Sequence, residues 1–168
     1  MYSEPYIGTT FRAYFPVAEE VTGAAAPRPD AAEPPRGLGQ TVLVVDDEPA
    51  IREVAERILV MAGYQVLSTP DGAAALAVDE RTHCQLLLTD VVMPVMSGRR
   101  LVELMRRRHP ALPVVYMSGY SDGLRGTSQV ANDQDIGFIE KPFTANDLLI
   151  MVNGLLTRTG SELSNLPY

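Results

Sequence analysis

The chain has 168 residues, 46% of them hydrophobic and 21% charged, which is enough apolar material for a buried core and too little charge for a disordered tail. Lys and Arg total 14 against 21 Asp and Glu, and the resulting formal charge of -7 argues against non-specific binding to nucleic acid or to an anionic membrane. With one cysteine, Cys84, no intrachain disulfide can form, and no apolar run approaches the length of a membrane span. The first twenty residues lack the uninterrupted apolar region of a secretory signal, so a soluble, cytoplasmic protein without membrane contact is expected.

Residues 1–21 hold one strand-like run, 10–15, with Phe11, Ala13 and Phe15 alternating against Thr10, Arg12 and Tyr14. Residues 22–39 hold Pro27, Pro29, Pro34 and Pro35 with Gly23, Gly37 and Gly39, and Leu38 is their only large apolar residue. Such a stretch removes backbone donors, has almost nothing to bury, and reads as a semi-extended linker. From residue 40 to 158 the pattern alternates, and 159–168 read as a tail.

The first strand of that block, 41–46, is a near-continuous apolar run ending in acid, as a buried parallel strand should be. Pro49 suits the first turn of a helix carrying Ile51, Val54, Ala55, Ile58 and Leu59 at helical spacing, and Gly63 suits its left-handed cap. A strand at 64–69, a helix at 73–80 and a strand at 84–90 follow, the last again ending in acid. Leu101, Leu104 and Met105 mark a helix stopped near Pro110, and 112–118 is a fourth strand. Residues 119–135 are weakly periodic and suggest one short helix before a fifth strand at 136–141. Thr144 and Asp147 form a variant capping box for a last helix at 145–156. Strands alternating with helices imply an α/β, doubly wound parallel sheet covered on both faces, with its site beyond the carboxyl ends of the strands.

Those ends deliver Asp46 and Asp47, then Asp90, Ser118 and Lys141. Three carboxylates crowded at one edge repel one another unless a cation joins them, and Mg²⁺, a hard ion that takes carboxylates together with a phosphate, meets that need. An aspartate can act as a nucleophile and carry an acyl-phosphate. Asp90 is the best candidate, because it ends the central run LLLTD and precedes a loop able to lend a backbone carbonyl to the metal. Lys141 would then pair with the phosphate as a point charge and Ser118 would donate to it, so phosphorylation acts as a switch.

Taken in order, VLVVDDEP, LLLTDVVMPVMSG, VVYMSGY and FIEKPF resemble the receiver domain of bacterial two-component systems. The resemblance implies a flavodoxin-like (βα)5 fold with strand order 2-1-3-4-5. It makes Asp90 the phosphoacceptor. Asp47, Asp90 and the Val92 carbonyl become direct Mg²⁺ ligands, and Asp46 holds the ion largely through water. Ser118 and Lys141 contact the phosphate, Phe138 takes the place of a rotating aromatic switch, and the Lys141–Pro142 bond is expected to be cis. Val92 and Tyr120 stand where the family tunes access of the hydrolytic water. The implied partner is a histidine kinase or a histidine phosphotransfer domain. The opening run YSEPYIGTTFRAYFPV resembles the end of the ATP-binding domain of a sensor histidine kinase, with Tyr6 where a glycine is usual. That suggests the C-terminal piece of a hybrid kinase, lacking the kinase catalytic core and able to self-associate through 10–15.

Two other readings compete. A protein-interaction module would leave Asp90 unphosphorylated, and a phosphatase of the haloacid dehalogenase type would need Asp-x-Asp after the first strand, where Asp46 and Asp47 are contiguous. Arg99, Arg100, Arg106, Arg107 and Arg108 read as a solvated helix face, Cys84 as inert packing, and His83 and His109 as surface bystanders.

Overall fold

A computed structural model describes residues 2–4, 8–10, 35–119 and 133–163 of the chain, with side-chain surroundings for 35–119 and 133–158. The expected helix within 119–135, Tyr120, residues 11–15 and the last five residues therefore lie wholly or largely outside the described part. Contacts divide the chain into two units, Met1–Ala32 and Glu33–Tyr168. In the first unit, β1 (Tyr2–Glu4) and β2 (Gly8–Thr10) pair antiparallel, Tyr2 opposite Thr10. Of the strand expected at 10–15, Thr10 alone is among the described residues, at the end of β2.

The second unit holds β3 (Thr41–Val45), α1 (Pro49–Met61), β4 (Gln65–Thr69), α2 (Gly72–Asp79), β5 (Leu86–Asp90), α3 (Gly98–Arg106), β6 (Val114–Ser118), β7 (Ile136–Glu140) and α4 (Ala145–Leu163). Its strands form one parallel sheet in the order β4-β3-β5-β6-β7, which is 2-1-3-4-5 counted from β3. Strand alternation splits the core into two layers. Val42, Val44, Leu86, Leu88, Val115 and Met117 face α1 and α4, where they meet Ala55, Leu59, Leu148 and Val152. Leu43, Val45, Leu87 and Val114 face the other way, onto Ala75, Leu101 and Met105. Burying each large aliphatic side chain is worth about 1.5–3 kcal/mol, so the sheet is held from both sides and its strand ends are fixed.

The helix starts carry their own signals. Pro49 opens α1, Asp71 accepts from the Ala74 N–H at 2.8 Å, and Ser97 accepts from the Arg100 N–H at 3.3 Å. Thr144 and Asp147 exchange bonds, the Thr144 hydroxyl donating to the Asp147 carboxylate at 2.6 Å and accepting from the Asp147 N–H at 3.2 Å. The last helix runs past the expected stop at Leu156 to Leu163, although Thr157, Thr159 and Gly160 are weak helix formers.

Residues 35–39, which composition assigns to the linker, are pinned to the sheet domain. Gly37 donates to the Ala62 carbonyl at 2.8 Å and lies against the ring of buried Tyr64, and Gly39 donates to the Gly63 carbonyl at 3.1 Å. Gly63 itself has φ +95, a conformation a side chain would strain.

Two polar residues differ from their expected roles. Arg106 is half-buried. Its guanidinium donates to the Leu112 carbonyl at 3.0 Å and pairs with Asp133, tying the end of α3 to the start of β7. His109 is half-buried, its Nε2 3.2 Å from Oδ2 of buried Asp79, while His83 remains exposed and meets the His109 ring edge-on.

Cys84 lies beneath these groups, 1% exposed, with its thiol pushed up to about 12 by burial and by the Asp79 carboxylate. A thiol raised from 9.0 stays protonated at neutral pH, and the native state loses stability only as pH climbs from about 9 towards about 12. Iodoacetamide at pH 8 is therefore expected to leave Cys84 unmodified in the folded chain and to label it fully in urea. Rapid labelling without denaturant would show the thiol to be accessible.

Candidate phosphoacceptor site

The sheet register determines which side chains share an edge. Val45 pairs with Thr89, Asp90 with Met117, and Ser118 with Glu140, so the residues at or just beyond those positions stand side by side at the carboxyl end. Asp46 follows β3, Asp90 ends β5, Ser118 ends β6, and Lys141 follows β7 with its N–H on the Ser118 carbonyl at 2.7 Å. The Lys141–Pro142 bond is cis.

Asp46 is fully buried and fully engaged. Its Oδ1 accepts from the Glu48 N–H at 2.9 Å, its Oδ2 from Lys141 Nζ at 2.7 Å, and its carbonyl from Arg52 Nη1 at 2.6 Å. Lys141 Nζ also lies 3.2 Å from Asp90 Oδ2, so one ammonium bridges two carboxylates. The other oxygen, Asp90 Oδ1, is buried and has no hydrogen-bond partner among the described residues. Burial holds the Asp90 carboxyl above its ordinary range, with the Asp46 charge adding and Lys141 opposing. Burial acts against the Lys141 ammonium too, but its pairs with Asp46 and Asp90 outweigh that and raise it.

Oxygens of Asp46, Asp47 and Asp90 come within 4.8 Å of one another. Asp47 is exposed and, among the described residues, has no hydrogen-bond or ion-pair partner. The all-oxygen set carries three carboxylates, of which Lys141 contacts two, and a hard divalent cation suits such a set. The edge can therefore concentrate a cation, an orphaned buried oxygen and an ammonium around one incoming anionic group.

The loop after Asp90 closes tightly. Gly98 donates to the Val91 carbonyl at 3.1 Å, and a Cβ on it would lie 2.0 Å from the Asp90 carbonyl oxygen, so only glycine allows α3 to start there. In the same loop Val92 and Val95 are exposed, and Val95 has φ 66, a strained setting for a β-branched residue.

The structure thus brings together Asp46, Asp47, Asp90 and Lys141. Ser118 stands one strand from Asp90 at 8% exposure, and Phe138 lies further back, stacked on Tyr116 with ring centres 5.4 Å apart. Sequence reasoning missed Arg52, whose only signal is a cation six positions after the acid that follows a strand.

A family model described as the response regulator receiver domain matches residues 42–153. The chain belongs to this family. It is 32% identical over 127 residues to the probable transcriptional regulatory protein TcrX of Mycobacterium tuberculosis, covering 74% of this chain and 53% of that protein. It is 33% identical over 164 residues to sensor kinase CckA of Brucella abortus, covering 93% of this chain and 17% of that protein. Among solved structures, a response regulator receiver domain protein from Clostridium thermocellum aligns with a TM-score of 0.66 at 25% identity, over 73% of this chain and 98% of that one. The chain spans about half the length of the first of these curated relatives and far less of the second. Among the described residues, no helix is long and apolar enough to cross a membrane.

Proposed function

We propose that this receiver accepts a phosphoryl group from a phosphohistidine onto Asp90, with Mg²⁺ as its cofactor. The observation that carries this reading is a buried Asp90 Oδ1 with no hydrogen-bond partner among the described residues, beside a Lys141 ammonium that already bridges Asp90 Oδ2 and Asp46. Asp47 and Asp90, with the carbonyl of Val92, would hold the ion directly. Asp46, whose carboxylate oxygens are both engaged, would hold it through water. When bound, Mg²⁺ draws charge from the phosphoryl oxygens.

In the transfer, an Asp90 oxygen forms the new O–P bond as the N–P bond of the donor breaks, and the electron pair leaves with the imidazole nitrogen. Lys141 pairs with one phosphoryl oxygen and the Ser118 hydroxyl donates to another. Drawing Ser118 toward the phosphate empties space near Phe138, which moves off Tyr116 and changes the surface that partners read. Val92, with Tyr120, cannot orient a hydrolytic water as a polar pair would, which favours a long-lived phosphoryl group.

The likeness to a sensor kinase over 93% of this chain reaches beyond the receiver, and it supports placing 1–21 at the end of a kinase ATP-binding domain and 22–39 between the two. The donor is then a histidine kinase or a histidine phosphotransfer domain, and the chain catalyses only its own phosphorylation and dephosphorylation. Phosphoramidate, which carries a P–N bond, tests the chemistry. With Mg²⁺ the intact mass should rise by one phosphoryl group, and EDTA should prevent it. No uptake with Mg²⁺ present would favour an unphosphorylated interaction module.

A further inference from the structure

We infer that Arg52 is a positioning residue that sets the place of Asp47 in the cation site. The inference rests on the reading of that site as one for Mg²⁺. Asp47 must present a carboxylate beside those of Asp46 and Asp90, yet no described side chain holds it. Among the described residues, then, its position is set by its backbone. The Asp46 carbonyl and the Asp47 N–H belong to one planar peptide unit, so fixing that carbonyl fixes the plane from which the Asp47 side chain departs.

Arg52 does this. Its Nη1 donates to the Asp46 carbonyl at 2.6 Å in a partly buried, charge-assisted bond, the stronger kind of hydrogen bond. Its own N–H donates to the Glu48 carbonyl at 3.1 Å, so the guanidinium reaches back from the first turns of α1 over the loop it steadies. The choice of acceptor matters. Lys141 occupies carboxylate oxygens, whereas Arg52 brings a positive charge to the acidic loop through a carbonyl and takes no carboxylate oxygen of Asp47.

Arg52→Gln and Arg52→Lys test this by calorimetric titration of the whole chain with MgCl2, alongside phosphorylation by phosphoramidate over a range of Mg²⁺. Loss of a group that orients a ligand typically costs metal affinity, so Arg52→Gln is expected to weaken Mg²⁺ binding about tenfold. At saturating Mg²⁺ its phosphorylation rate should return to within about twofold of the unsubstituted chain, because the deficit lies in binding the ion. Arg52→Lys keeps the charge but not the planar donor fork and should weaken binding about threefold. A residue that merely ties α1 to the sheet would lower the melting temperature and leave Mg²⁺ affinity unchanged, and that result in Arg52→Gln overturns the inference. If Arg52→Gln does not fold, unchanged affinity in Arg52→Lys overturns it equally. An unsubstituted chain that binds no Mg²⁺ overturns the parent reading together with this one, whereas equal affinities in variant and parent chain overturn this one alone.

Discussion

Asp90→Asn is expected to take up no phosphoryl group from phosphoramidate under conditions that phosphorylate the unsubstituted chain completely, and to fold at least as stably. The amide keeps the shape of the side chain but loses the charge, and its remaining carbonyl oxygen is a far weaker nucleophile than a carboxylate oxygen. The stability forecast follows from the surroundings of Asp90. Burial and the neighbouring Asp46 hold its carboxyl above the ordinary range, so ionised Asp90 costs the native state free energy at neutral pH. A neutral isostere removes that cost and forfeits the 3.2 Å pair with Lys141, which keeps its 2.7 Å partner in Asp46. The melting temperature without Mg²⁺ should therefore match or exceed that of the unsubstituted chain, while the rise on adding Mg²⁺ shrinks. Intact mass and thermal melts measure both effects. Undiminished phosphorylation in Asp90→Asn would remove Asp90 from the role.

What the sequence reveals and what it conceals divide on physical lines. The runs around Val42–Val45, Leu86–Leu88 and Val114–Met117 are nearly all apolar because both sheet faces are covered, and such runs announce buried parallel strands without any partner being known. Acids placed just where those runs end are costly unless they meet a cation, which makes Asp46, Asp47, Asp90 and Lys141 legible as a group. The strand order is another matter. Apolar pattern alone cannot choose it, and it came from the resemblance of the motifs.

Long polar side chains are where local reasoning runs out. Arg106 belongs by periodicity to a solvated face, yet its guanidinium is spent on Leu112 and Asp133. His109 looks like a bystander before a proline until α2 places Asp79 beneath it. Gly37 reads as linker because nothing in its own neighbourhood can bury, and its partner, the Tyr64 ring, arrives only after α1 has turned the chain back. Arg52 is of the same kind, since its acceptor is a backbone carbonyl whose direction no residue type encodes. Each of these contacts is decided by packing between elements, after the periodic pattern has done its work.

The second large effect should come from Lys141→Met. Lys141 is the cation in contact with both Asp46, whose side chain is 0% exposed, and Asp90 at 11%. Methionine fills much of the same space and leaves two buried carboxylates facing each other. Removing one partner of a buried ion pair costs about 3–5 kcal/mol, most of it the penalty of the charges left behind. Mg²⁺ should recover part of that loss, because an ion that binds only the native state adds stability in proportion to the logarithm of its concentration over its dissociation constant. The recovery is expected to be larger in the variant than in the unsubstituted chain, since the cation then relieves a repulsion that Lys141 otherwise relieves. Phosphorylation should not recover with it. An ammonium that meets the developing phosphoryl charge is worth about a hundredfold or more in rate, and an Mg²⁺ held by Asp47 and Asp90 would not occupy its place. Urea unfolding with and without MgCl2, run beside the phosphoramidate reaction, separates the two roles. A variant as stable as the parent chain without Mg²⁺ would show that Asp46 and Asp90 do not depend on Lys141, and a phosphorylation rate restored by Mg²⁺ alone would confine Lys141 to offsetting the charges of Asp46 and Asp90.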